Sequence, residues 1–471
     1  MNSISQHKII TKMRRKLLKK VAFHNLGCKV NSYELEFVQQ RFTENDFRIV
    51  SFDQKADIYV INTCTVTNIA DRKSRQMLHK ARKMNPDAIV VAMGCYVETG
   101  KEQAFSDPDI DILIGNNDKG HAYEKIIEYV DLRDQIEDKD TLEDISEVRD
   151  YDEFKLSFTS EHTRVHIKIQ DGCNQFCSYC AIPLARGRVR SRKIEDILSE
   201  VRGLCEKGYK EFVLTGIHLS SYGMDNYNLE INGNSGISEF EKNEKLIDAI
   251  EAVALIPGVK RIRLGSLEPR IITDEFLKRL VATGKICPHF HLSLQSGSDT
   301  VLKRMNRRYT ADEFFEKAEL IRQYFVHPGI TTDVIAGFPG ETEEEFLETK
   351  EYMNKVSFYE AHIFKYSRRK GTVADKLPGQ LTDKEKSARS EILIKEADVR
   401  SRSFREYYIG KEAEVLFEEL IELDGEKFLT GYTREYVKVA VKSDDETLLN
   451  TIASVKISNF ITDELVEAYI Q

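Results

Sequence analysis

A chain of 471 residues has room for about two to four domains, and 41% apolar against 31% charged residues with no tryptophan is globular composition. The longest apolar run, Ala88–Val97, is too short to span a bilayer, and the basic start MNSISQHKIITKMRRKLLKK lacks the apolar core of a secretory signal, which predicts a cytoplasmic protein. A net charge of −9 excludes a uniformly basic nucleic-acid binder but not local basic patches, and eight cysteines in so long a chain read as metal ligands rather than a disulfide scaffold.

The first basic patch is the N-terminus itself, seven Lys/Arg and no acid in residues 1–20. From Lys20 one pattern occurs three times. VAFHNLGC ends in Cys28 and precedes a helical stretch, Ser32–Phe42; DIYVINTC ends in Cys64 and precedes helical periodicity over Asn68–Met84. AIVVAMGC ends in Cys95, with Glu98–Phe105 as the start of a third helix. Strands alternating with helices predict a parallel α/β sheet, and ligands of such sheets gather beyond the carboxyl ends of the strands. A buried core cysteine is the ordinary reading of each thiol alone, but three in one context favour a shared metal site. DILIG, from Asp111, reads as a closing strand. Residues 131–153, with 11 acidic and 3 basic side chains, read as an exposed linker or solvated helix at the boundary between a first domain at 20–140 and a second at 155–400.

Beyond the linker, strand candidates at Arg164–Ile169, Glu211–Ile217, Lys260–Leu264, His289–Leu294, Ile330–Ala336 and Glu360–Tyr366 alternate with helical stretches. Six such units predict an open, partial (β/α)6 barrel whose chemistry sits at the strand C-termini. The loop after its first strand, DGCNQFCSYCAIPLARGRVRSR, holds Cys173, Cys177 and Cys180 as C-x3-C-x2-C. Structural zinc wants four ligands, usually as two C-x2-C pairs, and no second pair lies nearby. Three thiolates in one short loop suit a [4Fe–4S] cluster with one iron left open to a small molecule. Just behind lie Arg186, Arg188, Arg190 and Arg192 with no acid among residues 182–193, a patch close enough to meet phosphates; Lys303, Arg304, Arg307 and Arg308 form another. Residues 225–243, rich in Asn, Gly and Ser, read as a surface insertion, and Cys205 and Cys287 as packing residues. The last segment, 411–471, has the short alternating runs of a small antiparallel β-barrel. It carries 6 Lys/Arg against 14 Asp/Glu, so only the face with Tyr432, Arg434, Tyr436 and Lys438 suits a nucleic acid.

In order along the chain stand NLGCKVNSYELE (Asn25–Glu36), INTCTVT (Ile61–Thr67), MGCY (Met93–Tyr96), GCNQFCSYCAIP (Gly172–Pro183), LTGIHLSSYG (Leu214–Gly223), LGSLEP (Leu264–Pro269), HLSLQSGSDTVLKRMNRRYT (His291–Thr310) and DVIAGFPGET (Asp333–Thr342). This series resembles the methylthiotransferase family of radical S-adenosylmethionine (SAM) enzymes from Lys20 to the C-terminus. The resemblance implies an N-terminal methylthiotransferase domain, a central radical SAM barrel and a C-terminal barrel like the RNA-binding TRAM module. It implies two [4Fe–4S] clusters, one on Cys173, Cys177 and Cys180 that also anchors S-adenosyl-L-methionine, the other on Cys28, Cys64 and Cys95. Implied SAM contacts are Tyr179, Gly216, Ser266, Glu268, Gln295, Ser296, Gly337 and Pro339, all beside the first trio or at later strand ends. The implied reaction adds sulfur and methyl to carbon 2 of an adenine, with an electron donor such as a flavodoxin or ferredoxin as partner and no membrane. GCKVNSYE is similar to the branch acting on N6-threonylcarbamoyladenosine at position 37 of tRNA, beside the anticodon. The isopentenyladenosine branch reads more like GCQMNE, and the branch modifying a ribosomal-protein aspartate more like GCPKN. Those substrates, and a non-enzymatic iron–sulfur or zinc protein that binds RNA, stand as alternatives.

Overall fold

The computed structural model describes residues 20–132, 142–159, 163–225 and 243–471. The basic N-terminal stretch, the middle of the acidic segment and most of the insertion at 225–243 lie outside the described residues.

The first sheet is built from β1 (Lys20–Asn25), β2 (Arg48–Val50), β3 (Ile58–Thr63), β4 (Ile89–Gly94) and β5 (Ile112–Ile114), all parallel, in the order β2-β1-β3-β4-β5. Every residue of β3 and β4 is buried, because α1 (Lys29–Glu44) and α5 (Ala122–Leu132) cover one face while α2 (Asn68–Met84) covers the other. Two short helices, α3 (Cys95–Thr99) and α4 (Lys101–Ser106), stand where one was expected. The edge strand β2, three residues with two exposed, has too little pattern to be read from sequence.

The central unit contains β6 (Arg164–Asp171), β7 (Arg190–Ser191), β8 (Glu211–Gly216), β9 (Arg261–Leu264), β10 (His289–His291), β11 (Gly329–Ala336) and β12 (Glu360–Lys365). Ladders β7-β6-β8-β9 and β10-β11-β12 are joined by the bridges Ile262↔Ile286 and Leu267↔Leu292, giving one curved sheet with six parallel strands. One face of each strand packs under α7 (Ile194–Glu206), α8 (Lys245–Ala254), α9 (Asp274–Ala282), α11 (Ala311–Tyr324) and α12 (Glu343–Val356). The alternate residues, among them Lys168, Gln170, Arg263, His291 and Asp333, line the concave side. Short helices α6 (Ile182–Arg186) and α10 (Asp299–Arg304) occupy loops at the strand C-termini. A long helix, α13 (Asp383–Glu406), starts at a Thr382–Glu385 capping box and leads to the last domain.

That domain is a closed barrel of β13 (Glu412–Leu423), β14 (Glu426–Thr433), β15 (Lys438–Lys442), β16 (Ile452–Phe460) and β17 (Val466–Ile470), with Asp424 and Gly425 both at positive φ in the first hairpin turn.

Among the described residues β6 and β12 do not pair, so the central barrel has an open seam. The N-terminal domain spans it. On the β6 side, Lys168 binds Glu34 of α1 at 2.7 Å. On the β12 side, Arg369 donates to Thr65 Oγ1 (2.6 Å) and Asn68 Oδ1 (2.7 Å) and pairs with Asp71. From residue 142 the acidic segment is largely exposed, as expected, but its end is fastened to the barrel and leads into a buried strap. Phe154 and Leu156 are buried, the Phe154 ring lies edge-on to Tyr33, and Tyr151 Oη donates to Lys168 O. Its acids satisfy buried partners: Glu153 pairs with Arg192, and Asp152 accepts from Gly120 N at 2.9 Å.

Candidate active site

Cys173 follows β6 directly. Gly172 before it sits at φ +67°, and a Cβ there would lie 1.8 Å from Arg188 O, so only glycine lets the loop fold back on itself. Cys173 N donates to Gly187 O and Cys180 N to Cys177 O, which gathers the three thiols into one loop. Burial first, then Cys177, push the Cys180 thiol up to about 12; burial and then both partners raise Cys173 as well. Three crowded thiols that resist ionisation in each other's company are relieved by a bound cation.

The second trio forms at the carboxyl edge of the first sheet. Cys28 is the N-cap of α1, Cys64 follows β3 and Cys95 opens α3 after β4. Gly27, at φ +109°, allows the close approach: a Cβ on it would stand 3.0 Å from Cys64 Sγ. Burial, then Cys95, push the Cys64 thiol up to about 11, with Cys28 adding a smaller effect. Cys28 is exposed while Cys64 and Cys95 are buried, so the trio opens on one side. Neither trio belongs to the described groups whose ligand atoms all fall within 4.8 Å, the closeness a single ion demands. A larger polynuclear cluster fits this donor set: three thiols a side, spaced wider than one metal ion allows.

The two trios share a wall. Asn116 Nδ2 donates to Cys95 Sγ at 3.5 Å and to Ala185 O at 2.6 Å, tying the second trio to α6, the helix that follows the first. The Arg186 guanidinium, at the end of that helix, interacts electrostatically with both Cys64 and Cys95.

This corrects the expectation for the basic run. Arg186, Arg190 and Arg192 do not face phosphates; all three are buried. Arg186 donates to Glu34 (2.9 and 3.0 Å), Asp171 (3.0 Å) and Asn31 Oδ1 (2.6 Å). Arg190 donates to the carbonyls of Arg186 and Arg188, and Arg192 pairs with Glu153 and Glu200. A run without acids in sequence is matched in space by acids from other segments. Burial alone would raise the Glu34 carboxyl, but Arg186, Lys119 and Lys168 hold it well below the usual range. Of the four arginines Arg188 is the one left half-buried, over the Phe176 ring at 4.6 Å.

The expected SAM contacts divide. Glu268 and Tyr179 come together with the first trio around Arg307, whose Nη1 donates to Cys177 Sγ at 3.4 Å and whose charge is felt by both. Glu268 is buried and bound by Arg270 at 2.6 Å, and the Tyr179 ring also packs with Phe338 and Tyr366. Gly216 closes on Gln170, whose Oε1 lies 2.8 Å from where a Cβ would be and accepts from His218 N. Gln295, at φ +74°, donates through its backbone N to Asp333 O; Ser266 is exposed at the end of β9. One expectation is corrected. Ser296 is turned away, fully buried against Thr349 of α12 at 3.1 Å. The Gly337–Gly340 turn, with buried Pro339, packs on α13: a Cβ on Gly337 would lie 2.4 Å from Lys386 Cγ.

Sequence reasoning did not single out Arg307 or His218. Burial, then Arg307 and Arg270, push His218 down to about 3, which leaves a neutral imidazole beside the site. Arg307 sits in an Arg-rich run, and nothing in a run marks which member turns inward.

The face of the C-terminal barrel proposed for nucleic acid is also reassigned. Tyr432 and Arg434 lie against the central barrel: Arg261 donates to Tyr432 O, Arg263 to the Thr433 and Arg434 carbonyls, and Arg434 to Ile286 O at 2.8 Å. Lys438 pairs with Glu419 at 3.1 Å. The strand N-termini had buried guanidinium groups to satisfy, and this face supplies the carbonyls. The small barrel thereby floors the concave side.

Residues 167–353 match the Radical SAM superfamily, and residues 20–115 match a family described as Uncharacterized protein family UPF0004. Over 441 residues the chain is 40% identical to "Threonylcarbamoyladenosine tRNA methylthiotransferase MtaB" of Bacillus subtilis (strain 168), covering 93% of each chain. It is 39% identical over 398 residues to the protein of the same name from Aquifex aeolicus (strain VF5), covering 84% of this chain and 92% of that one. Among solved structures, the radical S-adenosylmethionine methyltransferase TsrM from Kitasatospora setae, with cobalamin and a [4Fe–4S] cluster bound, superposes with a TM-score of 0.53 at 12% identity. That match covers 74% of this chain and 72% of that chain and speaks to the fold alone.

Proposed function

Because the chain belongs to the family of radical SAM tRNA methylthiotransferases, we propose that it adds a methylthio group to carbon 2 of N6-threonylcarbamoyladenosine at position 37 of tRNA. The observation that carries this reading is the closeness of two cysteine trios, linked through Asn116, α6 and Arg186. Cys173, Cys177 and Cys180 would hold one [4Fe–4S] cluster, and Cys28, Cys64 and Cys95 the other. Held there, the first would supply one-electron cleavage of S-adenosyl-L-methionine and the second would supply sulfur.

The chain's own residues do the rest. Arg307 places a half-buried positive charge 3.4 Å from Cys177, offsetting thiolate charge where the first cluster would sit. The neutral His218 offers a hydrogen-bonding group there without a further charge. Glu268, oriented by two bonds from Arg270, presents a carboxylate suited to ribose hydroxyls or an ammonium group. The N-terminal domain closes the seam and keeps water from a reactive carbon centre. Recognition of an unpaired loop base that can be splayed out fits a chamber entered from outside the barrel. The electron enters from a small redox protein such as a flavodoxin or ferredoxin, in the cytoplasm. Among the described residues no helix is long and apolar enough to cross a membrane.

Nucleoside mass spectrometry of tRNA from a deletion strain tests the assignment. Loss of 2-methylthio-N6-threonylcarbamoyladenosine, with the unmethylthiolated form accumulating, is expected; an unchanged pool refutes it. In the purified protein, Cys28→Ala should lower iron from about eight to about four per chain. It should abolish methylthiolation while reductive SAM cleavage continues.

A further inference from the structure

One recess on the concave side gathers more positive charge than its neighbouring carboxylates balance. Lys29 opens α1, one residue beyond Cys28, and is solvent-accessible although protein surrounds it. Its ammonium lies within electrostatic reach of Tyr436, Arg164 and Arg263, and His289 is within reach of all three cations. These groups surround one ring. Arg164 and Arg263 lie over Tyr436 at 5.0 and 4.9 Å, and His289 stacks on it with centroids 4.6 Å apart. All three domains therefore contribute to one recess: Lys29 from the first, Arg164, Arg263 and His289 from the second, Tyr436 from the third.

The neighbouring acids are already engaged. Glu211 is held by Arg263 at 2.6 Å and faces Arg261, while Glu418 is held by Arg164 at 2.6 Å. Three guanidinium groups and the Lys29 amine thus meet two carboxylates, and among the described residues Lys29 Nζ makes no hydrogen bond or ion pair. A recess with such an imbalance, walled by protein, draws an anion.

The substrate read above carries one. The threonylcarbamoyl arm on N6 ends in a free carboxylate, and it hangs from the same six-membered ring as carbon 2. Lys29 is the residue next to Cys28 of the second trio, so an adenine whose carbon 2 is presented to that trio brings its arm to the same side of the molecule. We propose that Lys29 receives the threonyl carboxylate of the target adenosine, with Arg164 and Arg263 adding their field, and so sets the preference for this substituent over an uncharged one. The inference rests on the substrate assignment above, and it makes Lys29 a specificity residue rather than a catalytic one.

The test is binding of the reconstituted holoenzyme to anticodon stem–loop RNAs that differ only at the target adenosine: threonylcarbamoylated, dimethylallylated or unmodified. Wild type should prefer the threonylcarbamoyl RNA by about 10- to 100-fold, the worth of a hydrogen bond between charged groups. Lys29→Gln should bring that preference within about twofold while binding unmodified RNA as before, and Lys29→Arg should keep most of it. Each preference is a ratio within one protein, so a fraction of inactive molecules cancels. A Lys29→Gln protein that retains the preference overturns the proposal. So does one that weakens on all three RNAs alike, which would assign Lys29 to a backbone phosphate. A preference lost equally in Lys29→Arg would trace the effect to the segment's fold and overturn it too. A wild type without preference would fail at the earlier step and remove the substrate assignment itself.

Discussion

Glu34→Gln isolates the contact that fastens the N-terminal domain to the barrel. Glu34 is fully buried, and its two oxygens receive Lys119, Lys168 (2.7 Å) and Arg186 (2.9 and 3.0 Å); Asp171 shares the latter two cations. With Arg190 beside Asp171 at 3.7 Å, four cations share two carboxylates, and the substitution leaves four with one. Removing one partner of a buried ionic group costs about 3–5 kcal/mol. Because Lys168 and Arg186 belong to the barrel and Glu34 to α1, most of that loss falls on the interface. With a urea dependence of about 1–3 kcal/mol per molar for a unit this size, the first unfolding transition should move down by roughly 1–5 M. Far-ultraviolet circular dichroism under anaerobic urea titration measures this, and the variant should show an early separate transition where the domains part. SAM cleavage should persist while methylthiolation falls, since the trios would no longer be held in register. The Glu34 carboxyl is depressed in the fold, so its contribution is complete above the ordinary carboxylate range and is lost only as pH falls through the lower folded value. The gap between variant and wild type should therefore be full at pH 7 and close only in strong acid. Unfolding midpoints within about 0.3 M of each other at pH 7 would refute the reasoning.

Two further predictions concern single charges. Burial pushes Glu98 up to about 7 from 4.5, so the stability it contributes is present below pH 4.5 and disappears as pH rises through 7. Glu98→Gln should gain up to about 3 kcal/mol at pH 8 and little at pH 5, read from urea midpoints; an equal gain at both would show that ionisation is not the cause. Arg192→Gln should destabilise the fold yet leave the salt dependence of tRNA binding unchanged, because that side chain is buried against Glu153 and Glu200. Arg188→Gln should instead flatten the slope of log affinity against log salt by about one. The reverse ranking would return the buried arginines to the RNA surface.

The six barrel strands were legible because each is a short apolar or alternating run between turn residues, as in Ile330–Ala336. The trios were legible for a related reason: each thiol of the second set ends such a run, and the first set shares one loop. What escaped depends on contacts between distant segments. Arg186 and Arg192 look solvated in sequence because Glu34 and Glu153 are far from them along the chain. The same holds for Tyr432 and Arg434, whose face is decided by guanidinium groups on β9. Helix α13 has few apolar residues for its 24 positions, but Thr382 and Glu385 form a threonine-x-x-glutamate signature that marks its start. Ser296 shows the opposite failure. A motif position identified its neighbourhood correctly, while backbone direction sent the hydroxyl into a helix interface.

The two edges of the seam have a bearing on how the enzyme is made. Arg369 binds Thr65 across 304 positions of chain, whereas Lys168 reaches Glu34 across 134. A ribosome therefore releases the first sheet and most of the barrel before the last latch exists, and domains generally fold in the order they emerge. For that interval the β12 side of the seam lacks its contacts to the first sheet. Closure arrives with the final hundred residues, so a nascent or truncated chain ending before Arg369 lacks the clasp that shuts the vessel.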